Sequence, residues 1–111
     1  MRAAIGAIRA VRASAIGAIR AMIGRHVFFE GRVQGVGFRW TVKNLARGYE
    51  VTGWVKNLPD GRVELQAAGD PGEVDGFIEA IEESDLRSHI KKVDVQVITA
   101  PAGLKGFEIR E

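Results

Sequence analysis

The chain of 111 residues contains no cysteine. That absence excludes disulfides, thiolate zinc sites, iron–sulfur clusters and a cysteine nucleophile. No apolar run is long enough to span a membrane. The two histidines, His26 and His89, are isolated from each other in the sequence, so we expect structural or surface roles for both and no metal site. A chain of this length can form one domain with a modest core.

Acidic residues are missing from the first 25 residues, where the net charge is +5. The basic residues there are Arg2, Arg9, Arg12, Arg20 and Arg25. The remaining 86 residues hold eleven lysines and arginines against fourteen acids, which gives −3 and a total of +2. Since the body of the chain is mildly acidic, it carries no basic footprint for a polyanion, and we expect no nucleic-acid partner.

The N-terminal segment contains the heptapeptide AIGAIRA twice, at residues 4–10 and 15–21. An interval of eleven residues is close to three helical turns, so both copies place their isoleucines on one side of a helix. Three interpretations remain open: a targeting or membrane-surface segment, an interaction helix, or a poorly ordered extension that precedes a start at Met22. We favour the last and divide the chain into a basic amphipathic or disordered leader, residues 1–24, and a domain, residues 25–111.

The domain alternates strand and helix patterns. Strands are predicted at residues 26–33, 50–58, 62–68, 93–97 and 106–110, and helices at residues 38–47 and from Pro71 onwards, after an Asp70 cap. This order predicts an α+β fold, a ferredoxin-like βαββαβ sandwich. It has one antiparallel sheet with two helices on one face, plus a short extra C-terminal strand. We expect Trp40 and Trp54 to be packing residues.

The motif GRVQGVGFR, residues 31–39, lies between the first strand and the first helix. N–H groups in the first turn of a helix lack intrahelical partners, and the helix dipole favours an anion there. Gly35 and Gly37 can form a concave nest of N–H groups, and Arg39 adds a guanidinium suited to phosphate. The residues alone predict a phosphate or carboxylate cradle, with a tight connection bearing surface arginines as an equal alternative. Trp40 replaces the third glycine of GxGxxG and no GK[ST] is present, so we expect no nucleotide site.

The motif GRVQGVGFR, followed after a helix by GWVKNLPDGRVEL, resembles the acylphosphatase family over roughly residues 25–110. The resemblance implies hydrolysis of the carboxyl–phosphate bond of an acyl phosphate to a carboxylate and inorganic phosphate, without metal or cofactor. It makes Arg39 and Asn57 the catalytic residues, with Asn57 positioning the attacking water. The implied phosphate-binding residues are Gln34, Gly35, Val36, Gly37, Phe38 and Arg39.

The sequence departs from the family in two places. The leader has no counterpart in the small members, and the segment ESDLRSHIKKVDV lacks the Gly-Pro often found there. The alternative function is a non-catalytic phosphate- or nucleic-acid-binding module of the same fold. A role like that of the corresponding domain in larger carbamoyl-transfer maturation proteins is disfavoured, because no further domain is present. We expect a cytoplasmic monomer acting on a small-molecule acyl phosphate, with the leader as a possible targeting segment.

Overall fold

The computed structural model describes residues 22–111, and the AIGAIRA repeats of the predicted leader lie outside the described residues. The strands are β1 (Ile23–Gly31), β2 (Val51–Asn57), β3 (Val63–Gly69), β4 (Ile90–Ile98) and β5 (Phe107–Arg110). The helices are α1 (Phe38–Ala46) and α2 (Pro71–Glu82), and a 3₁₀ turn (Asp85–His89) precedes β4. β1 begins three residues earlier than its pattern predicts, at Ile23.

The five strands form one sheet in the order β4-β1-β3-β2-β5. β1 pairs antiparallel with both β3 and β4, and β2 pairs antiparallel with β3, which confirms the predicted ferredoxin-like arrangement. β5 pairs parallel with β2, so the complete sheet is mixed. The register sets Arg110 opposite Lys56, and the end of β5 therefore lies beside the end of β2.

The core lies between the two helices and one face of the sheet. Alternation along β1 turns Val27 and Phe29 inward, and both are fully buried. The ring of Phe38 packs at 5.0 Å from that of Phe29 and is itself 2% exposed. Burial of one such side chain contributes about 1.5–3 kcal/mol, so Phe38 fixes the first turn of α1 against the sheet.

The opposite face of the sheet carries aromatic side chains covered by cations. The guanidinium of Arg110 stacks 5.1 Å from the centre of the Trp54 ring, and Trp54 is only 9% exposed. His26 pairs with the Glu64 carboxylate at 2.6 Å and packs against Phe28. Trp54 and His26 therefore have the structural roles that the sequence predicts for them.

The start of α2 confirms the cap predicted from Asp70 and Pro71. The Asp70 carboxylate accepts a hydrogen bond from the backbone N–H of Gly72 at 3.1 Å, and Pro71 occupies the first helical position. The Glu73 carboxylate accepts from the backbone N–H of Glu50 at 2.8 Å, which connects α2 to the start of β2. No helix within residues 22–111 has the length and apolarity needed to cross a membrane.

Candidate active site

The loop between β1 and α1 turns through two left-handed glycines. Gly35 has φ 77° and Gly37 has φ 76°, values that residues with a side chain rarely adopt. Gly37 is also the N-cap of α1, so no side chain caps the helix from that position. The first turn of α1 contains no acidic residue either. The positive end of this helix is therefore left open to an external anion.

Backbone N–H groups along this loop lack protein acceptors. The first backbone hydrogen bond of α1 runs from the N–H of Thr41 to the carbonyl oxygen of Gly37 at 3.0 Å. Across residues 22–111, no acceptor is found for the backbone N–H groups of residues 34–40. Such a row of donors in a glycine-rich turn is the arrangement that binds phosphate in many proteins.

Arg39 places a guanidinium beside these N–H groups. Its Nη1 donates a long hydrogen bond of 3.4 Å to the carbonyl oxygen of Arg110 and lies 3.8 Å from a Glu111 carboxylate oxygen. The Glu111 side chain is 93% exposed, so solvent screens this ion pair strongly. Arg39 is thus oriented by the end of β5 while it keeps donors available for a ligand.

Asn57 is the last residue of β2 and has an unsatisfied amide. Its side-chain Oδ1 is buried and has no hydrogen-bond partner among the described residues. Leaving a buried acceptor unpaired costs about 1–3 kcal/mol. A water or ligand bound beside Asn57 would remove that cost, which is the behaviour expected of a binding residue.

Gln34 connects the loop to the hairpin that follows Asn57. Its Nε2 donates to the carbonyl oxygen of Leu58 at 2.8 Å and to that of Arg62 at 2.9 Å. Both side-chain donors are used in this way, so Gln34 can meet a phosphate only through its backbone N–H. The side chain instead holds the β1–α1 loop against the segment that carries Asn57.

The β2–β3 turn is itself well defined. The N–H of Leu58 donates to the carbonyl oxygen of Arg62 at 2.8 Å, and the Asp60 carboxylate accepts from the backbone N–H of Arg62 at 3.0 Å. The backbone hydrogen bond from Arg62, with the nearby guanidinium, lowers the pKa of Asp60 below its usual value. The carboxylate therefore stays ionised near neutral pH and keeps bonding the turn.

One open depression of about 350 Å³ brings these parts together. Its lining residues are Val33, Gly35, Gly37, Phe38, Arg39, Trp40, Asn57, Ile109 and Glu111. Most of the residues predicted for the site line it, whereas the side chains of Gln34 and Val36 are not among the lining residues. Sequence reasoning missed Ile109 and Glu111, because nothing in their local pattern indicates that β5 ends beside β2.

Trp40 is the one site residue for which the sequence prediction is wrong. The sequence predicts a packing residue, but the Trp40 side chain is 67% exposed. The core-facing stripe of α1 consists of Phe38, Val42 and Ala46. At about 100° per residue, Trp40 lies on the opposite side of the helix from Phe38 and Val42, and this spacing was the signal available in the sequence.

Metal-ligating side chains do not cluster near the depression. Within residues 22–111, no group of three or more histidine, aspartate or glutamate residues is placed to hold a metal ion. The charged groups available to a bound anion are therefore Arg39 and the positive end of α1.

Comparisons with known proteins identify the family to which the chain is similar. The acylphosphatase family model matches residues 25–109. An acylphosphatase of Thermococcus kodakarensis is 43% identical over 84 residues, which is 76% of this chain and 91% of that protein. An acylphosphatase of Haloarcula marismortui is 42% identical over 85 residues, covering 77% of this chain and 92% of that one.

Solved structures show the same likeness. The acylphosphatase of Bacillus subtilis superposes with a TM-score of 0.74 at 35% identity, over 80% of this chain and 99% of that chain. Full-length HypF matches with a TM-score of 0.73 at 26% identity, but the match covers only 12% of that chain. The chain belongs to the acylphosphatase family, and it is an acylphosphate phosphohydrolase rather than a non-catalytic binding module.

Proposed function

We propose that the loop of residues 34–39 binds the phosphate group of an acyl phosphate and that Asn57 positions the water that attacks its phosphorus. The observation that carries the proposal is the meeting at one depression of three groups that can bond a ligand. These are the loop N–H groups and the Asn57 Oδ1, which have no partner among the described residues, and the Arg39 guanidinium, which keeps donors available. A phosphate with an adjacent water supplies partners for all three.

Charge stabilisation in this scheme comes from Arg39 and the loop. Phosphoryl transfer spreads negative charge over the equatorial oxygens of phosphorus, and catalysis consists mainly of positioning and stabilising that charge. Backbone N–H groups are fixed donors that need no reorganisation during the reaction. The Arg39 guanidinium adds a permanent positive charge with a planar set of donors.

The leaving group explains why no strong general acid is needed. An acyl phosphate releases a carboxylate whose pKa is about 4, so it departs without taking up a proton near neutral pH. The site offers no histidine or pair of carboxylates that could supply a proton. The histidines in the described part of the chain, His26 and His89, are absent from its lining. We propose that the reaction needs neither metal nor cofactor.

Asn57 acts on water by position alone. Its amide is neutral and cannot remove a proton near pH 7, but Oδ1 can accept a hydrogen bond from water and hold it in line with phosphorus. Such fixed orientation of a nucleophile contributes through proximity. The proton of the water passes to a phosphate oxygen of the substrate, which completes the hydrolysis without a protein base.

Substitution of the two catalytic residues tests the proposal. We expect Arg39→Ala and Asn57→Ala each to lower kcat for benzoyl phosphate by about 10²–10³, the usual cost of losing one such group. Arg39→Lys should recover only part of the activity, because a lysine cannot present a planar pair of donors.

Matched controls lie at exposed positions on α1 and directly after it. Arg47→Ala and Asn44→Ala remove the same residue types from exposed positions away from the depression and should keep turnover within about twofold. Full turnover in Asn57→Ala, with the wild-type fold by circular dichroism, would refute the role given to Asn57. Full turnover in Arg39→Ala would refute the phosphate-binding assignment.

Two further expectations, a monomeric state and a cytoplasmic location, stay predictions. Light scattering coupled to size-exclusion chromatography should give a mass near the 12.1 kDa of one chain. Imaging of the tagged full chain in cells tests the location, and recruitment to an organelle or membrane would instead favour the targeting interpretation of the leader.

A further inference from the structure

Trp40 presents a large apolar side chain to solvent on the side of α1 that faces away from the core. Its side chain is 67% exposed, whereas the other tryptophan, Trp54, is buried beneath Lys56 and Arg110. In the part of the chain that the structure describes, no ring and no cation stacks on the Trp40 indole. Tryptophan is enriched at binding interfaces, because its large ring offers an apolar face to a partner.

The position of Trp40 connects it to the substrate. It directly follows Arg39 in the first turn of α1, and it is among the residues that line the same depression as Arg39 and Asn57. Val36, between the two left-handed glycines of the loop, is also exposed, at 38%. The phosphate loop is therefore flanked by exposed apolar surface at its tip and just after its end.

The two ends of an acyl phosphate have different chemistry. The phosphate group needs the donors of the loop, so the acyl group must occupy the remaining part of the depression. In-line attack places the acyl oxygen on the side of phosphorus opposite the water. Besides the loop, Arg39 and Asn57, the lining residues are the apolar Val33, Trp40 and Ile109 and the acidic Glu111.

We propose that the indole of Trp40 contacts the acyl group of the substrate and makes the enzyme prefer aromatic acyl phosphates over acetyl phosphate. This inference rests on the proposed function, because it needs the phosphate to lie in the loop. An aryl group stacked on the indole gains an aromatic contact of about 0.5–1.5 kcal/mol, which corresponds to roughly a 2- to 12-fold preference. A methyl group cannot make that contact.

Kinetics with two substrates test the preference. Trp40→Ala should lower kcat/KM for benzoyl phosphate by about five- to tenfold, mainly through KM, and change that for acetyl phosphate by less than twofold. Trp40→Phe should retain most of the preference. Val97→Ala, which shortens another exposed apolar side chain on β4, should leave both substrates unchanged. An equal loss for both substrates, or no loss for either, would overturn the inference.

Binding of inert analogues separates this inference from the proposed function. Phenacylphosphonate and acetonylphosphonate replace the scissile oxygen of benzoyl and acetyl phosphate by a methylene group and are not hydrolysed. By calorimetry we expect wild type to bind the phenacyl compound about five- to tenfold more tightly than the acetonyl compound. Trp40→Ala should bind the two compounds equally tightly. Equal affinities in wild type would refute the role of Trp40 even if Arg39 and Asn57 prove essential. A retained phenacyl preference alongside full turnover in Asn57→Ala would refute only the hydrolytic mechanism.

Discussion

Two amide side chains at the site, those of Gln34 and Asn57, differ in their hydrogen bonding. Gln34 uses both Nε2 donors on the carbonyl oxygens of Leu58 and Arg62, while the Oδ1 of Asn57 has no partner among the described residues. The satisfied amide fixes the distance between the phosphate loop and the β2–β3 turn. The Oδ1 of Asn57, one residue before Leu58, is the atom that we propose binds the attacking water. In this proposal the geometry of catalysis depends on Gln34, a residue that does not touch the reacting atoms.

Gln34→Ala tests this positioning role. Loss of two hydrogen bonds, with two carbonyl oxygens losing their donor, should lower the free energy of unfolding by about 1–3 kcal/mol. It should also lower kcat more than it raises KM, because the attacking water loses its fixed distance to phosphorus. Urea unfolding and steady-state kinetics measure the two effects. Gln96→Ala, at an exposed position on β4, is the control, and an unchanged kcat in Gln34→Ala would contradict the role.

Single residues differ in how far their roles follow from the sequence. Gly35, Gly37 and Arg39 suggest an anion site without the family resemblance, because glycines that permit a left-handed turn and a cation at a helix start both favour a bound anion. A tight connection bearing surface arginines was an equal alternative from these residues alone. The bonds of the Gln34 side chain could not be predicted, because its acceptors are the backbone of a turn 24 and 28 residues away. The assignment of Asn57 needed the family resemblance, because an asparagine before a turn is common.

At the scale of elements, the centre of the site depends on β2 lying between two strands. Gly53 on β2 has φ 150°, and a Cβ built there would lie 1.8 Å from the carbonyl oxygen of Gln66 on β3. Its backbone N–H donates to the carbonyl oxygen of Gly106 at 3.0 Å, just before β5. Close approach of three backbone segments therefore requires glycine at this point.

Gly53→Ala should destabilise the fold strongly. Backbone strain at such a φ costs about 1–3 kcal/mol, and the overlap with β3 adds to that cost. Gly48→Ala, where an added Cβ meets only the Leu45 carbonyl oxygen at 3.6 Å, is the matched control and should change the free energy of unfolding by less than about 1 kcal/mol. Equal stability of the two variants in urea unfolding would contradict the packing described for β2.

The elements themselves were predictable, but their pairing was less so. Alternation, glycine and proline positions indicate each strand and helix within about three residues of its observed ends. The parallel pairing of β5 with β2 depends on contacts between residues more than fifty positions apart. No local pattern reports such pairing, and for that reason the contributions of Ile109 and Glu111 to the site could not be predicted.

At the scale of the whole molecule, the acidic end of α2 makes stability depend on pH. Burial raises the pKa of Glu82 above its usual value, and the nearby charges of Glu79 and Glu83 raise it further. Because the folded pKa exceeds the unfolded one, the folded state favours protonated Glu82. Ionised Glu82 therefore lowers the free energy of unfolding. This loss of stability is absent at a pH below the unfolded pKa and is present in full above the folded pKa.

Glu82→Gln should therefore raise the melting temperature at pH 7. The gain should shrink as the pH falls and disappear below about pH 4, where the wild-type carboxyl is protonated in both states. Thermal melts from pH 3.5 to 7 measure it, with Glu50→Gln, at an exposed position just before β2, as the control. A gain that persists at pH 3.5, or a loss at pH 7, would contradict the assignment.

The central claim of the proposed mechanism is that water held beside Asn57 attacks the substrate at phosphorus. Hydrolysis of benzoyl phosphate in ¹⁸O-labelled water, with excess chelator present, tests that claim most directly. We expect undiminished turnover, with one labelled oxygen in the inorganic phosphate and none in the benzoate. Label in the benzoate would mean attack at the acyl carbon, and loss of turnover in the chelator would mean that a metal takes part; either result would contradict the mechanism.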